Sequence, residues 1–218
     1  MTENPELTPS EQLLLHGEEF ATKGLVGNIR LPQGSKVAAD KIGELLLANV
    51  FLTIEQAGGI ELLVEEQKRL FGLMKSDTLF VKRTAGETAW PVPSVESLIN
   101  GLARPEPVAV ADILYDWLAE PHGMPWNLAV TRIEECLAQR GLLLEEAHKL
   151  LGKTMSSSYR VDPGTLAALP PADLASTRQR LDDCRAQRPD LWKLLLKGIH
   201  HGINRRRAED GGDYDGDD

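Results

Sequence analysis

The sequence predicts a mostly α protein: a single globular helical domain with short β-hairpins over residues 7–203, then a disordered acidic tail over residues 204–218. Three observations predict it. Apolar residues recur three and four apart in several segments, the pattern of helices with one buried face. Prolines open these segments and Gly141 closes one, the asymmetry expected of helix ends. The β-branched and aromatic runs are short and lie near glycines, as in hairpins. A chain of 218 residues with 42% apolar and 26% charged residues has the length and composition of one ordinary folded domain.

Thr8-Pro9-Ser10-Glu11 reads as a helix start, with Thr8 as cap, Pro9 in the first turn and Glu11 closing a capping box. That helix directs Leu13, Leu14 and Phe20 to a core. Residues 24–34 read as a loop, with Lys23 and Arg30 as nearby cations. Ser35 is placed to cap a second helix carrying Val37, Ile42, Leu45 and Leu46. Residues 50–54 (VFLTI) are β-branched and aromatic, so they read as a strand turning at Gly58-Gly59 into residues 60–64. Residues 79–81 are a further short strand.

From residue 93 the chain reads as helical. Residues 94–102 and 108–118 are two short helices, the second with Val110, Ile113, Leu114 and Trp117 on one face. Pro125 opens a longer one with Trp126, Ala129, Val130, Ile133 and Leu137 as its stripe. Residues 145–151 read as a short helix and residues 153–162 as a polar loop or hairpin. Residues 172–185 form a helix, and Pro189 opens the last one, with Leu195, Leu196, Ile199 and Ile203 inward. The tail AEDGGDYDGDD is nearly free of apolar groups and cannot offset its ordering entropy by burial.

Charge and motifs narrow the function. A net charge of −9 argues against nucleic acid as partner. It argues less against an anionic membrane, which a local basic patch can still meet. The two cysteines, Cys136 and Cys184, fall on apolar faces and read as buried thiols. The N-terminus lacks the basic and apolar regions of a signal peptide. No apolar run reaches the ~18 residues of a membrane span, so membrane contact is expected to be peripheral and the protein cytoplasmic. No GxSxG, P-loop, GxGxxG or HExxH motif occurs, and the chain reads as a non-enzyme with no cofactor and no metal site. Adjacent carboxylate pairs such as Glu134-Glu135 point about 100° apart on a helix and do not converge.

Lys193, Lys197, Arg205, Arg206 and Arg207 cluster on the outer face and end of the last helix. Such cations complement a helix C-terminus. They also form a candidate membrane-surface patch, each worth ~1 kcal/mol near an anionic bilayer.

Four ordered segments carry a resemblance: residues 7–20 (LTPSEQLLLHGEEF), 44–55 (ELLLANVFLTIE), 84–102 (TAGETAWPVPSVESLINGL) and 136–151 (CLAQRGLLLEEAHKLL). Their order and spacing resemble the Golgi phosphoprotein 3 family, in a divergent, prokaryotic-type form. The resemblance implies a mostly helical fold and a site for phosphatidylinositol 4-phosphate or another anionic phospholipid headgroup. The family's pocket tryptophan falls on Ile29, its first arginine on Ala38, and its two helix arginines on Asn127 and Val130. The candidate headgroup residues it implies here are Arg132, Asn127, Arg30 and Lys36. The apolar hairpin of the eukaryotic members corresponds to residues 150–161, which are mostly polar.

Two other readings compete. One is a non-catalytic protein-interaction or scaffold domain on the same fold, with a protein as partner. The other is a winged-helix regulator using residues 37–46 as a recognition helix, which the acidic total disfavours.

Overall fold

A computed structural model of the chain describes residues 6–69, 74–84, 90, 92–118, 125–150, 153–162, 164–165 and 172–210. At 67–69, 74–75, 148–150, 153–156 and 207–210 it describes the backbone alone.

Helix α1 (Pro9–Leu15) starts as its residues require: Thr8 and Glu11 form the capping box, with the Thr8 amide donating to Glu11 Oε2 at 2.9 Å. A 3-10 turn at Gly17–Glu19 follows. Strands β1 (Asn28–Arg30) and β2 (Lys36–Ala38) pair antiparallel inside the stretch expected to be a loop and a helix start. The second helix, α2 (Ala39–Gln56), therefore begins at Ala39 and is not capped by Ser35.

Residues 50–54 are not a strand but the interior of α2, and all five are buried. A helix enclosed on every side has no polar face, so its β-branched run carries no visible helical period. The turn at Gly58-Gly59 accordingly leads from a helix into β3 (Ile60–Arg69), whose partner is β4 (Met74–Arg83). Strand β5 (Val108–Ala109) extends this sheet to the order β3-β4-β5.

Helices α3 (Val95–Leu102), α4 (Val110–Trp117) and α5 (Pro125–Gln139) follow. Gly141, at φ 73°, ends α5 by allowing the left-handed turn that L side chains resist. The segment expected as a helix at 145–151 is instead strand β6 (Leu144–Leu150), paired with β7 (Lys153–Arg160). Its residues are good helix formers, but the ladder to β7 overrides that propensity. Helices α6 (Leu174–Gln187) and α7 (Pro189–Asp210) close the chain. Helix α7 continues through Asp210, so Arg205, Arg206 and Arg207 are helical. Residues 211–218 of the expected tail lie outside the described residues, as do 85–89 of the resembling segment.

The mostly α expectation is thus corrected. Among the described residues, seven α-helices stand beside seven strands in three antiparallel sheets, an α and β mix. The β3–β4 hairpin, with ten residues in each strand, is the main reason. Its outer half is charged and polar, so only its inner half, with Ile60, Leu62, Leu79 and Val81 buried, showed a strand pattern.

Helix α2 is the central element, touched by α1, α3, α5, α6 and α7. Leu47, Phe51 and Ile54 are fully buried in one core with Leu13, Ile99, Ile133 and Leu195. This placement excludes residues 37–46 as a recognition helix: Val37 lies in β2, and Ile42 and Leu46 are buried. Helix α4 packs on α7. No helix among the described residues is long and apolar enough to cross a membrane.

Candidate functional site

The first turns of α2 and α5 come together beside the β1–β2 hairpin. Between them lies an open cavity of about 270 Å³ lined by Val26, Gly27, Asn28, Asp40, Trp126, Asn127 and others. The first amides of a helix have no acceptor within it and carry the positive end of its dipole. At α5 these are, among the described residues, the amides of Trp126 and Asn127, because Pro125 has none. At α2 three of the four are engaged: Ala38 donates to the Thr22 carbonyl at 3.0 Å, Ala39 to the Gly27 carbonyl at 2.9 Å, and Lys41 to Asp40 Oδ1 at 2.9 Å. Among the described residues, Asp40 is the one carboxylate that lines the cavity.

The hairpin supplies cations. Asn28 pairs with Ala38, and Arg30 with Lys36. Side chains two apart on a strand share a face, so Arg30 and Lys36 stand side by side on the face that carries Asn28. Both are exposed, as are Lys23 and Lys41. No ion pair among the described residues engages any of these four.

Trp126 forms one wall. Its ring meets His200 of α7 edge-on, with centroids 5.2 Å apart, and His200 bonds Glu44 of α2 at 2.8 Å. The wall is therefore built by three helices.

Of the four candidate headgroup residues, Asn127 lines this cavity, and Arg30 and Lys36 do not line it but stand two positions along the hairpin from Asn28, which does. Arg132 does not join them. It lies five residues beyond Asn127, about 140° around the helix, and bonds Glu135 at 3.0 Å. Of the positions matched to the family's pocket, Val130 is fully buried and Ala38 nearly so, and Ile29 is half-buried.

The basic patch on α7 divides in two. Lys193 and Lys197 are exposed and one turn apart. Arg205 and Arg206 turn toward α4, their guanidinium carbons 3.8 and 4.0 Å from the Tyr115 ring centroid. Arg205 also bonds Asp112 at 2.7 Å, and Arg206 donates to the Tyr115 carbonyl at 2.8 Å. The side chain of Arg207 lies outside the described residues.

A larger groove of about 470 Å³ runs between α2 and α6. Its polar groups answer one another: Arg188 clamps Glu55 at 3.0 and 2.6 Å, and Arg180 bonds Gln56 at 2.7 Å and Asn49 at 3.0 Å. The Arg180 pKa is lowered by burial, and hydrogen bonding to Glu55 raises that of Arg188. These groups tie α6 to α2.

Both cysteines are buried and free, and burial holds the Cys136 thiol near pKa 11. Sequence reading missed Leu25 and Val26, which are almost fully exposed, Val26 at the cavity rim and Leu25 next to it in the chain. Two adjacent apolar residues between Gly24 and Gly27, with cations on either side, were the signal for them. No protein-family model, curated protein or solved structure matches the chain.

Proposed function

We propose that the chain is a peripheral membrane module that binds anionic phospholipid headgroups, phosphatidylinositol 4-phosphate or a similar one, in the cavity at the starts of α2 and α5. One observation carries the reading: two helix N-termini meet at one open cavity, beside the hairpin that carries the exposed Arg30–Lys36 pair. Helix N-termini favour phosphate through dipole and free amides, and flanking cations add charge-assisted contacts. The resemblance to the Golgi phosphoprotein 3 family supports the same place, because the matched position Asn127 lines the cavity. Asp40 opposes an anion there and sets a limit on affinity. Exposed Lys193 and Lys197 supply a second, non-specific attraction to the bilayer surface.

A second reading, a protein-interaction module, draws on β3. It is the edge strand of its sheet and ten residues long, and such edges accept a partner strand. Glu61, Glu65 and Glu66 on it favour a basic partner segment.

Flotation with vesicles of phosphatidylcholine containing phosphatidylinositol 4-phosphate, phosphatidylserine or neither separates the two. The lipid reading expects binding to anionic vesicles that survives near-physiological salt and falls at least about tenfold in R30E/K36E, given ~1 kcal/mol per cation. A folded chain that binds none of them overturns it.

A further inference from the structure

Leu25 and Val26 are 102% and 85% exposed, far above the next large apolar side chains, Val64 and Leu98 at 49%. A scattered exposed leucine is ordinary. An adjacent pair at the tip of a fixed loop is not. The loop is closed by Asn28, whose Oδ1 accepts from the Gly24 amide at 2.8 Å and whose Nδ2 donates to the Gly24 carbonyl at 3.0 Å. It is anchored from outside as well, by the Ala38 amide on the Thr22 carbonyl at 3.0 Å and the Ala39 amide on the Gly27 carbonyl at 2.9 Å. Gly27, at φ 67°, makes the sharp return. The two side chains are thus held in water by a built loop.

Their surroundings name the partner. Lys23 precedes the tip, Arg30 and Lys36 stand on the hairpin beside it, Lys41 lies on the first turn of α2, and Val26 itself is part of the cavity rim. An apolar tip with these four exposed cations on its own loop, hairpin and adjoining helix turn, against Asp40 on the cavity wall and Glu18 bonded to Ser35, complements a surface that is anionic at its face and hydrocarbon beneath. We infer that Leu25 and Val26 form an insertion tip that enters the acyl boundary of an anionic bilayer while the adjoining cavity faces the headgroups. The inference rests on the headgroup reading and adds how the protein is oriented and retained. The loop is already ordered, so little entropy opposes burial of the tip. Each side chain that leaves water should strengthen binding about tenfold. This part of the affinity should resist salt, unlike the cationic part.

The test uses the full chain with a polarity-sensitive dye on L25C; the native cysteines are buried. Vesicles are phosphatidylcholine with phosphatidylserine or phosphatidylinositol 4-phosphate, with or without nitroxide-labelled acyl chains. The expected result is a blue shift and acyl-chain quenching at position 25 on anionic vesicles. In parallel, L25S/V26S should lose about 10- to 100-fold in binding at near-physiological salt, with an unchanged thermal melt. Binding with the dye still in water and L25S/V26S unaffected overturns insertion and leaves the headgroup reading standing. No binding of the unmodified chain to any vesicle overturns both.

Discussion

Gly43 of α2 and Trp126 of α5 approach so closely that a β-carbon on Gly43 would lie 2.8 Å from Cε3 of the indole. The cavity wall thus depends on a missing side chain in a helix far from it in sequence. G43A sets two effects against each other. Alanine favours the helix by about 1 kcal/mol, while forcing a methyl into a filled space costs about 1–3 kcal/mol. We expect net destabilisation of about 1 kcal/mol in urea, an altered tryptophan emission spectrum and weaker vesicle binding. An unchanged midpoint and spectrum would mean that the indole yields freely.

Glu134 gives a pH dependence. Burial, with the charge of Glu135 beside it, pushes its carboxyl up to about 8. The folded chain therefore holds this proton more tightly than the unfolded chain, where a glutamate titrates near the ordinary value of ~4.3. Its stabilising contribution is complete below that ordinary value and is lost as pH rises through about 8. Thermal melts should fall between pH 5 and pH 8.5 by the equivalent of a few kcal/mol at most. E134Q should flatten this slope and raise the melting temperature at pH 8. An equal slope in both proteins would assign it to other groups.

The Arg140 guanidinium pairs with Glu11, whose side chain is fully buried. Burial first, with the nearby Glu96 charge also contributing, raises the Glu11 pKa, while Arg140 and the Thr8 amide oppose the rise. Glu11 Oε1 and Glu96 Oε2 are buried without hydrogen-bond partners among the described residues. R140M leaves two carboxylates facing each other and should cost about 3–5 kcal/mol, while E11Q/R140M recovers part of it. Urea unfolding of the four proteins of the cycle reads the coupling, and coupling near zero would show that the pair is incidental.

The two halves of the α7 patch should behave differently. K193E/K197E should weaken vesicle binding at low salt and leave the melt within noise, because both side chains are exposed. Replacing Arg205 and Arg206 by alanine should lower the urea midpoint, since both stack on Tyr115 and tie α7 to α4. If the arginine variant melts normally but loses binding, the stacking is not what those residues are for.

Helix ends were legible from the sequence where local chemistry sets them. Pro9 with the Thr8–Glu11 box, Pro125, Gly141 and Pro189 all mark ends as expected. Two kinds of residue were misread. Residues 50–54 lie in a helix buried on all sides, and residues 145–150 in a hairpin whose pairing partner decides the conformation. Both outcomes depend on neighbours distant in sequence. The cavity has the same character. Asn127, Arg30 and Lys36 were chosen through a resemblance, and no local pattern joins Asn28, Trp126 and Ile203 around one space. Arg132 had the right charge on the right helix, but its angle around the axis takes it elsewhere.

Helix α1 has seven residues, too few to persist alone in water. Its anchors come late in the chain. Glu96 accepts from the Ser10 amide 86 positions on, Arg140 bonds the Glu6 carbonyl 134 positions on, and the Asp173 amide donates to Gln12 161 positions on. During synthesis the opening segment must therefore wait, unfinished, until most of the polypeptide has left the ribosome. Fusions or stalls that hold back α5 and α6 should leave the N-terminus open to proteases.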